Sequence, residues 1–433
     1  MHYLDETHIF LFLVQFGLLL GLAKIAGEPF RRAKQPTLTA EILVGILLGP
    51  TILGRLLPGI FQRLFPADAV QQNMLETVAW IGVLFLLLES GLEIDFSVAW
   101  RKRGSALVIA LADIVVPMAI AFVPCLFIPA EFLASGSNRW VFALFMATVM
   151  TISAMPVAAK VLQELRLLKS EMGFVTMAAL AVNDIIGWVL FTIVLALFTQ
   201  SAVSSSFVAT VLVSTVGFAA LGLILGRPIS TKAVAYFQRK RMPEPASSLT
   251  FICLLGLIFG AITQKIGIHA LFGFFIAGIV GGEAKNLSEE SRRVISQMVH
   301  AVFVPIFFVN VGLKIDFLAH FNVGIVALVT VIGIAGRFAG AWVGVGLTRQ
   351  FRESRHAIAV AHTPGGMMEI VVALLALEAG MITHPVFSVI SARLHEMIYF
   401  WWYRQLWPAC SVLSAAYVTG LRAGRRKRFL ENN

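Results

Sequence analysis

The chain has 433 residues, of which 58% are hydrophobic and only 13% are charged. A soluble domain usually carries about 25% charged residues because its surface faces water, so this composition excludes an ordinary soluble protein. The formal net charge of +10 does not indicate nucleic-acid binding, because the Lys and Arg residues lie in short clusters between apolar runs. The hydrocarbon core of a membrane is the solvent that such a chain fits.

Apolar runs long enough to cross a bilayer recur along the whole chain. A transmembrane helix needs about 20 such residues, and this length predicts an all-α, polytopic membrane protein with about thirteen spans. The first run has no cationic region before it and no small-residue cleavage site after it, which favours a retained helix over a signal peptide. The predicted spans are 8–28, 38–57, 74–94, 105–128, 139–165, 173–198, 205–226, 246–265, 268–283, 297–313, 320–348, 356–378 and 384–420.

The distribution of positive charge predicts the orientation of these spans. With the N-terminus outside, 24 Lys and Arg residues fall in cytoplasmic loops and the tail, and five fall in the opposite loops. Cytoplasmic loops carry such an excess in membrane proteins, so we expect an external N-terminus and a cytoplasmic C-terminus. Residues 1–420 are then the membrane domain, and residues 421–433 are a short basic cytoplasmic tail. A bacterial inner membrane is the expected location.

An internal repeat is visible in two pairs of segments. Residues 91–96 read GLEIDF and residues 312–317 read GLKIDF, each at the end of an apolar span. A glycine-containing span precedes each of them, at 40–50 and at 269–279. The matching spans are seven crossings apart, and an odd offset gives the two halves opposite orientations in the membrane. Inverted-topology repeats are typical of secondary transporters, whose substrate site lies near the midplane between the repeats.

Two spans in corresponding positions of the repeat are interrupted by polar residues. The fifth contains TISAMP at 151–156, and the twelfth begins with HTPGGMMEI at 362–370. Proline frees backbone carbonyls, which persist at membrane depth only in a cavity or in contact with protein. We therefore predict two broken, crossing helices that help to hold a small cation, with simple proline kinks as the alternative. The residues of this crossing are Thr151, Ser153, Met155, Pro156, Thr363, Pro364, Gly365, Gly366 and Glu369.

The sixth span carries Asn183 and Asp184 at its centre. An aspartate there costs roughly 2.5–3.5 kcal/mol on insertion scales, so it is expected to have a function or a compensating partner. Burial disfavours the charged form of a carboxyl, so the group binds a proton or a cation but not both. Competition for one site is a simple basis for exchange. An interhelical hydrogen-bond pair is the structural alternative.

Arg337 lies in the eleventh span between apolar and small residues. Arginine does not lose its charge, so a buried one needs a carboxylate partner. Glu89, Asp113 and Asp184 are the candidates that the sequence offers, and a structural ion pair is the favoured interpretation.

Three histidines, His269, His300 and His362, lie near the ends of predicted spans. A lone histidine in such a place is more often an interfacial hydrogen-bonding residue than a pH sensor. The sequence alone therefore assigns none of them to the ion site.

These segments resemble the monovalent cation:proton antiporter superfamily, in the branch with Kef-like and Na+/H+ antiporters and plant cation/proton exchangers. The similarity extends over residues 36–378, in order and in spacing. The segments that carry it are PTLTAEILVGILLGPTILG (36–54), LLLESGLEID (86–95), TISAMPVAAKVLQEL (151–165), AALAVNDIIGW (178–188), GIHALFGFFIAGIVGG (267–282), FVPIFFVNVGLKIDF (303–317), GRFAGAW (336–342) and GGMMEI (365–370).

The resemblance implies a homodimer in which a core domain moves against a dimerisation scaffold. The core is expected at about 74–198 and 297–390, and the scaffold at about 8–57 and 205–283. Asp184 aligns with the family's ion-binding aspartate, and the preceding Asn183 is typical of electroneutral members. Kef-like systems carry a nucleotide-binding domain, which is not expected here. The segment SARLHEMIYFWWYRQLWPAC, from residue 391, departs from the family's plain apolar final span.

The sequence thus predicts a Na+(K+)/H+ antiporter in contact with membrane lipid. Na+ or K+ competes with protons at Asp184, with Asn183, Thr151 and Ser153 around it, and no cofactor is expected. A cation channel and a non-transporting ion or pH sensor on the same scaffold are the alternatives. An intramembrane enzyme is not expected, because no Ser–His pair, metal cluster or Asp pair stands at a suitable spacing.

Overall fold

The structure is a computed structural model of the whole chain. It describes residues 5–33, 37–94, 103–134, 138–153, 155–164, 167–168, 170–199, 205–284, 287–320, 322–348 and 350–391. Of the last predicted span, 384–420, only the first eight residues belong to these ranges. The unusual segment after residue 391 and the basic tail at 421–433 lie outside them.

The regular secondary structure of the described residues is helical, apart from one isolated bridge between Leu133 and Ile382. A π-helical turn, Val299–Phe303, joins the helices Glu289–Met298 and Val304–Leu313, and short 3-10 turns cover Ala130–Phe132 and Arg352–Ser354. The α-helices are α1 (Glu6–Arg32), α2 (Thr37–Leu48), α3 (Leu53–Leu56), α4 (Pro58–Leu64), α5 (Ala69–Glu93), α6 (Arg103–Leu126), α7 (Arg139–Val149), α8 (Met155–Glu164), α9 (Glu171–Thr199), α10 (Ser205–Arg239), α11 (Ala246–Lys265), α12 (Ala270–Gly282), α13 (Glu289–Met298), α14 (Val304–Leu313), α15 (Phe317–His320), α16 (Val323–Thr348), α17 (Arg355–His362), α18 (Met367–Glu378) and α19 (His384–Ser391).

Nine helical segments in the described part of the chain are long and apolar enough to cross a membrane. The predicted all-α membrane fold is therefore confirmed, whereas the number of thirteen spans stays a prediction. Among the other predicted spans, 268–283 corresponds to one shorter helix, and 139–165 and 356–378 each correspond to two helices separated by a break. The seventh is longer than its apolar run suggests, because α10 continues to Arg239.

The repeated segments meet in two equivalent helix crossings. In one, α5 crosses α12 so closely that a Cβ on Gly278 would lie 2.9 Å from Gly91 Cα. In the other, α14 crosses α2, and a Cβ on Gly312 would lie 2.8 Å from Gly45 Cα. Each crossing joins a GLxID span of one half to the glycine-containing span of the other half. A pseudo-two-fold axis that relates two inverted repeats produces such a pair of equivalent crossings between the two halves.

Replacing Gly278 with Ala should destabilise the protein by about 1–3 kcal/mol, the usual cost of overpacking a closely packed site. The new Cβ meets the backbone of Leu88 and Gly91, which cannot rotate away. The measurement is the thermal unfolding midpoint of the purified protein in detergent. Gly21→Ala is the matched control, because a Cβ there meets nothing within 4 Å. Equal losses in the two variants would contradict the crossing.

The described helices pack in two groups. In the first, α5 packs on α12 and α14 packs on α2, together with α1, α10 and α11. In the second, α16 packs along α6, and α7, α9 and α17 join them. The predicted division places 74–94 and 297–313 in the core. This division stays a prediction. The close glycine crossings hold α5 against α12 and α14 against α2, and both α12 and α2 lie in the predicted scaffold.

Candidate functional site

Two helices break at the positions that the sequence indicates, and the breaks touch each other. The first break separates α7, which ends at Val149, from α8, which begins at Met155, and the second separates α17 from α18. The hydroxyl of Ser153 donates a hydrogen bond to the carbonyl oxygen of His362 at 3.1 Å. The predicted pair of broken, crossing helices is therefore confirmed. Met155 and Pro156 begin α8, and the residues between α17 and α18 are Thr363, Pro364, Gly365 and Gly366.

Arg337 stabilises both breaks from α16. Its side chain is fully buried and donates to the carbonyl oxygens of Met150 at 2.9 Å and of Val149 and Thr363 at 3.4 Å each. These carbonyls lie at the C-terminal ends of two half-helices, where a positive charge is favourable. The guanidinium also forms an ion pair with Glu369.

Glu369 was not among the carboxylates that the sequence offered as partners for Arg337. Glu89 instead pairs with His300, with 3.1 Å between Glu89 Oε2 and His300 Nε2. Asp113 contacts His362, and the structure gives no ion pair between Arg337 and Asp184. Glu369 follows the Gly-Gly break by three residues, so the bend of the chain rather than the spacing of the spans brings it to Arg337.

Asn183 and Asp184 lie in the middle of α9, beside the first break. Gly187, one helical turn further on, allows this contact, because a Cβ there would lie 3.2 Å from Ile152 Cγ1. Both polar side chains are buried, Asn183 fully and Asp184 at 3% exposure. Within the described residues, neither Oδ1 atom accepts a hydrogen bond. Buried acceptors without donors are costly, and a bound ion or water is a common reason for them.

Thr151 and Ser153 are buried near these two residues, but both hydroxyl groups donate hydrogen bonds to carbonyl oxygens of the broken helices. Thr151 Oγ1 donates to the carbonyl oxygen of Thr148 at 2.7 Å, and Ser153 bonds to the second broken helix. Each hydroxyl oxygen keeps lone pairs, so the hydrogen bonds leave them able to act as acceptors. Their assignment as cation ligands stays a prediction.

A second polar cluster surrounds Asp113 on α6, and its members were not predicted to lie together. His362 Nδ1 lies 2.9 Å from Asp113 Oδ2, and Asn183 Nδ2 donates to the same oxygen at 3.1 Å. The interpretation of His362 as an interfacial residue was wrong, because the side chain is fully buried at the end of α17. The one sequence signal was its position directly before the Thr-Pro-Gly-Gly break.

A cleft of about 520 Å³ opens at one end of the molecule, where α5 and α12 end and α13 begins. Four carboxylates line it together with two arginines. Such an acidic cleft raises the local concentration of cations. The charged residues lining it are Glu89, Glu93, Glu283, Glu289, Arg292 and Arg293.

The opposite ends of α5 and α14 are closed by an ionic bridge. Lys314 Nζ lies 3.0 Å from Glu76 Oε1 on α5 and 3.4 Å from Glu378 Oε1 on α18. The cavity behind these residues, lined also by Asn310, has a volume of about 10 Å³. That is about the size of one water molecule, so this side is closed while the acidic cleft is open.

The profile of a family described as "Sodium/hydrogen exchanger, transmembrane" matches residues 17–394. The chain belongs to this family. The sodium/hydrogen exchanger fold is also that of the sodium proton antiporter MjNhaP1 from Methanocaldococcus jannaschii. Its structure superposes with a TM-score of 0.67 at 18% identity, over 91% of this chain and 95% of the other.

Three of its relatives are named antiporters. Cation/H(+) antiporter 17 of Arabidopsis thaliana is 30% identical over 386 residues, which cover 88% of this chain and 46% of the relative. Na(+)/H(+) antiporter NhaS4 of Synechocystis is 28% identical over 391 residues, covering 89% and 94%. K(+)/H(+) antiporter 1 of Saccharomyces cerevisiae is 30% identical over 403 residues, covering 90% and 45%. The chain thus spans about half the length of the plant and yeast relatives.

Proposed function

We propose that this chain is a secondary antiporter that exchanges Na+ or K+ for H+ by alternating access. Membership of the sodium/hydrogen exchanger family supports this function, as do relatives named for Na+/H+, K+/H+ and cation/H+ antiport. The observation that carries the proposal is a buried Asp184 whose Oδ1 accepts no hydrogen bond within the described residues. A carboxyl in that position binds a proton in one half of the cycle and a cation in the other.

The two ends of the molecule suit alternating access. The acidic cleft opens at one end of α5, and the Lys314 bridge lies at the other end. We infer that α6 to α9 and α16 to α19 form the moving core, and that α5 and α14 belong with the scaffold because of their glycine crossings. Movement of the core would close the cleft and open the bridged side.

The orientation, assembly and stoichiometry form part of the same proposal. The excess of Lys and Arg in one set of loops supports an external N-terminus. The bacterial inner membrane is the proposed location. A homodimer is the assembly that the family resemblance implies. Asn183 in front of Asp184 leaves one carboxylate at the pair, so we propose that one cation exchanges for one proton.

Competition at one carboxyl predicts how cation affinity depends on pH. The apparent KM for the cation should rise as the pH falls, by up to about tenfold per pH unit, because proton concentration changes tenfold. The assay is proton flux in everted vesicles containing the protein, followed with a pH-sensitive dye while Na+, K+ or Li+ is added. The ion that dissipates the gradient identifies the substrate. Vesicles that hold the inserted protein but respond to no cation from pH 6 to 9 would refute the proposal.

The alternatives differ in what this assay records. A cation channel gives a flux that does not saturate and is not coupled to protons. An antiporter gives a flux that saturates with cation concentration and is coupled to protons. A non-transporting sensor on the same scaffold gives no flux, and replacing Asp184 then changes nothing. Electroneutral exchange predicts, in addition, no transport-linked current in proteoliposomes on a solid-supported membrane. A cation-dependent current would show that the exchange is electrogenic and would rule out the one-to-one stoichiometry.

Loss of the Lys314 bridge should open the closed side more often. Lys314→Met removes the ion pairs that link α14 to α5 and α18. In a cysteine-free background, Asn310→Cys should then react several-fold faster with a membrane-impermeant maleimide. Arg55→Met is the control, because Arg55 pairs with Asp316 at 3.1 Å near the same end without involving the core helices. Equal labelling rates in the two variants would argue against a bridge that holds the side closed.

A further inference from the structure

A buried aspartate–histidine pair lies in the second group of helices and has no part in the function proposed so far. Asp113 on α6 and His362 at the end of α17 are both fully buried, and His362 Nδ1 lies 2.9 Å from Asp113 Oδ2. Burying two such groups is costly unless their polar atoms are matched. The pair therefore needs a structural or functional reason.

The same carboxylate oxygen holds two further side chains. Asn183 Nδ2 donates to Asp113 Oδ2 at 3.1 Å, and Ser153 Oγ lies at the hydrogen-bond limit of 3.5 Å. One oxygen thus gathers donors from α9, from the end of α17 and from the first break. Asp113 itself is held rigidly, because a Cβ on Gly340 of α16 would lie 2.9 Å from Asp113 Cα. There is no room for α6 to shift at this point.

This contact fixes the orientation of Asn183. An amide presents donors on its nitrogen and an acceptor on its oxygen, and the carboxylate accepts only from the nitrogen. Asn183 Oδ1 must therefore face away from Asp113, and in the described part of the structure it accepts no hydrogen bond. The adjacent Asp184 Oδ1 is likewise buried without a donor. Asp113 consequently leaves Asn183 with a carbonyl oxygen that accepts no hydrogen bond within the described residues, on the residue that precedes the proposed cation-binding Asp184.

We propose that Asp113 is a positioning residue that sets the cation preference of the site by orienting the Asn183 carbonyl, and that His362 holds Asp113 in place. The inference rests on the proposed exchange function and deepens it. Na+ and K+ use the same oxygen ligands and differ in the size of the cavity that they need. A rigid amide oxygen discriminates between them better than one that rotates. In this role Asp113 acts through Asn183, and its own Oδ1 is also buried without a hydrogen-bond partner within the described residues.

The test compares the apparent KM for Na+ and for K+ in vesicles containing Asp113→Asn, Asn183→Ala and the double variant. The amide of Asp113→Asn keeps the shape of the carboxylate but weakens the charge-assisted bond that orients Asn183. We expect the KM for the preferred cation to rise about tenfold, the effect of one lost hydrogen bond to a charged group. The KM for the other cation should rise less, and the maximal rate should change less than either. In the Asn183→Ala background, Asp113→Asn should add nothing further.

Substitutions at His362 provide a second measurement. His362→Asn places an amide N–H where Nδ1 stands and should keep the wild-type preference between Na+ and K+. His362→Leu removes the donor and should reproduce the altered preference of Asp113→Asn. Glu41→Gln is the matched control, since it changes a carboxyl of α2 that is only 4% exposed and lies outside this cluster. It should leave the ratio of the two KM values unchanged.

The outcomes separate this inference from the proposed function. If the inserted wild-type protein shows no cation-dependent proton flux, the exchange function itself fails. If the wild-type protein exchanges, two results overturn the positioning role. One is an unchanged KM ratio in folded Asp113→Asn. The other is a KM increase for Asp113→Asn that persists in the Asn183→Ala background, which indicates a general structural effect.

Discussion

Asp184→Asn should abolish cation/proton exchange, with a loss of at least about 100-fold in the initial rate. The amide neither binds a proton nor neutralises a cation at neutral pH, so both halves of the proposed cycle stop. Asparagine has nearly the same shape as aspartate, and the side chain is buried beside the first break. The fold should therefore survive, and the loss should reflect charge rather than packing.

The measurement is dye-monitored proton flux in everted vesicles with matched amounts of inserted protein. Asp184→Glu keeps the charge but moves it by one methylene, and we expect it to retain part of the activity with an altered KM. Glu41→Gln removes a different buried carboxyl and should retain wild-type rates. Undiminished exchange in Asp184→Asn would contradict the assignment of this residue.

The membrane fold was largely predictable from the sequence. Apolar length alone places the spans, and many helices begin and end within a few residues of them, as for Ala246–Lys265. The helix α10 is an exception, since it continues to Arg239. The breaks were indicated by Pro and Gly that stand together with hydroxyl residues in apolar runs, because Pro lacks a backbone donor and disfavours a helical conformation of the residue before it. Proline alone is not sufficient, since Pro29, Pro117 and Pro228 lie within continuous helices. Asp184 was evident because a carboxyl at a helix centre is too costly to be incidental.

The contacts of the charged residues were not predictable in the same way. Asp113 and His362 are 249 residues apart, and neither hydropathy nor spacing carries information on which spans become neighbours. The structure explains the contact between Asp113 and His362. Gly340 of α16 has no side chain, so α6 packs closely enough on α16 to place Asp113 at the break. Arg337 needed a carboxylate, but its choice of Glu369 depends on how the chain bends between α17 and α18.

The second large effect is expected at this Arg337–Glu369 pair. Arg337→Met should destabilise the protein by about 3–5 kcal/mol, because it leaves a buried carboxylate without its partner. It also removes the donors to the carbonyl oxygens of Val149, Met150 and Thr363, where two half-helices end. The loss is measured as the fall in the thermal unfolding midpoint in detergent.

Two further variants separate the ion pair from the hydrogen bonds. The double variant Arg337→Met, Glu369→Gln removes the unpaired charge and should recover part of the stability, because replacing a whole buried pair costs less than removing one member. The part that it does not recover measures what the guanidinium contributes to the half-helix ends. Arg55→Met, which breaks the exposed pair with Asp316, should cost less than about 1 kcal/mol. If Arg337→Met costs no more than Arg55→Met, the crossing of the two broken helices does not depend on this arginine. Other contacts, such as the hydrogen bond from the Ser153 hydroxyl to the His362 carbonyl oxygen, must then hold the crossing.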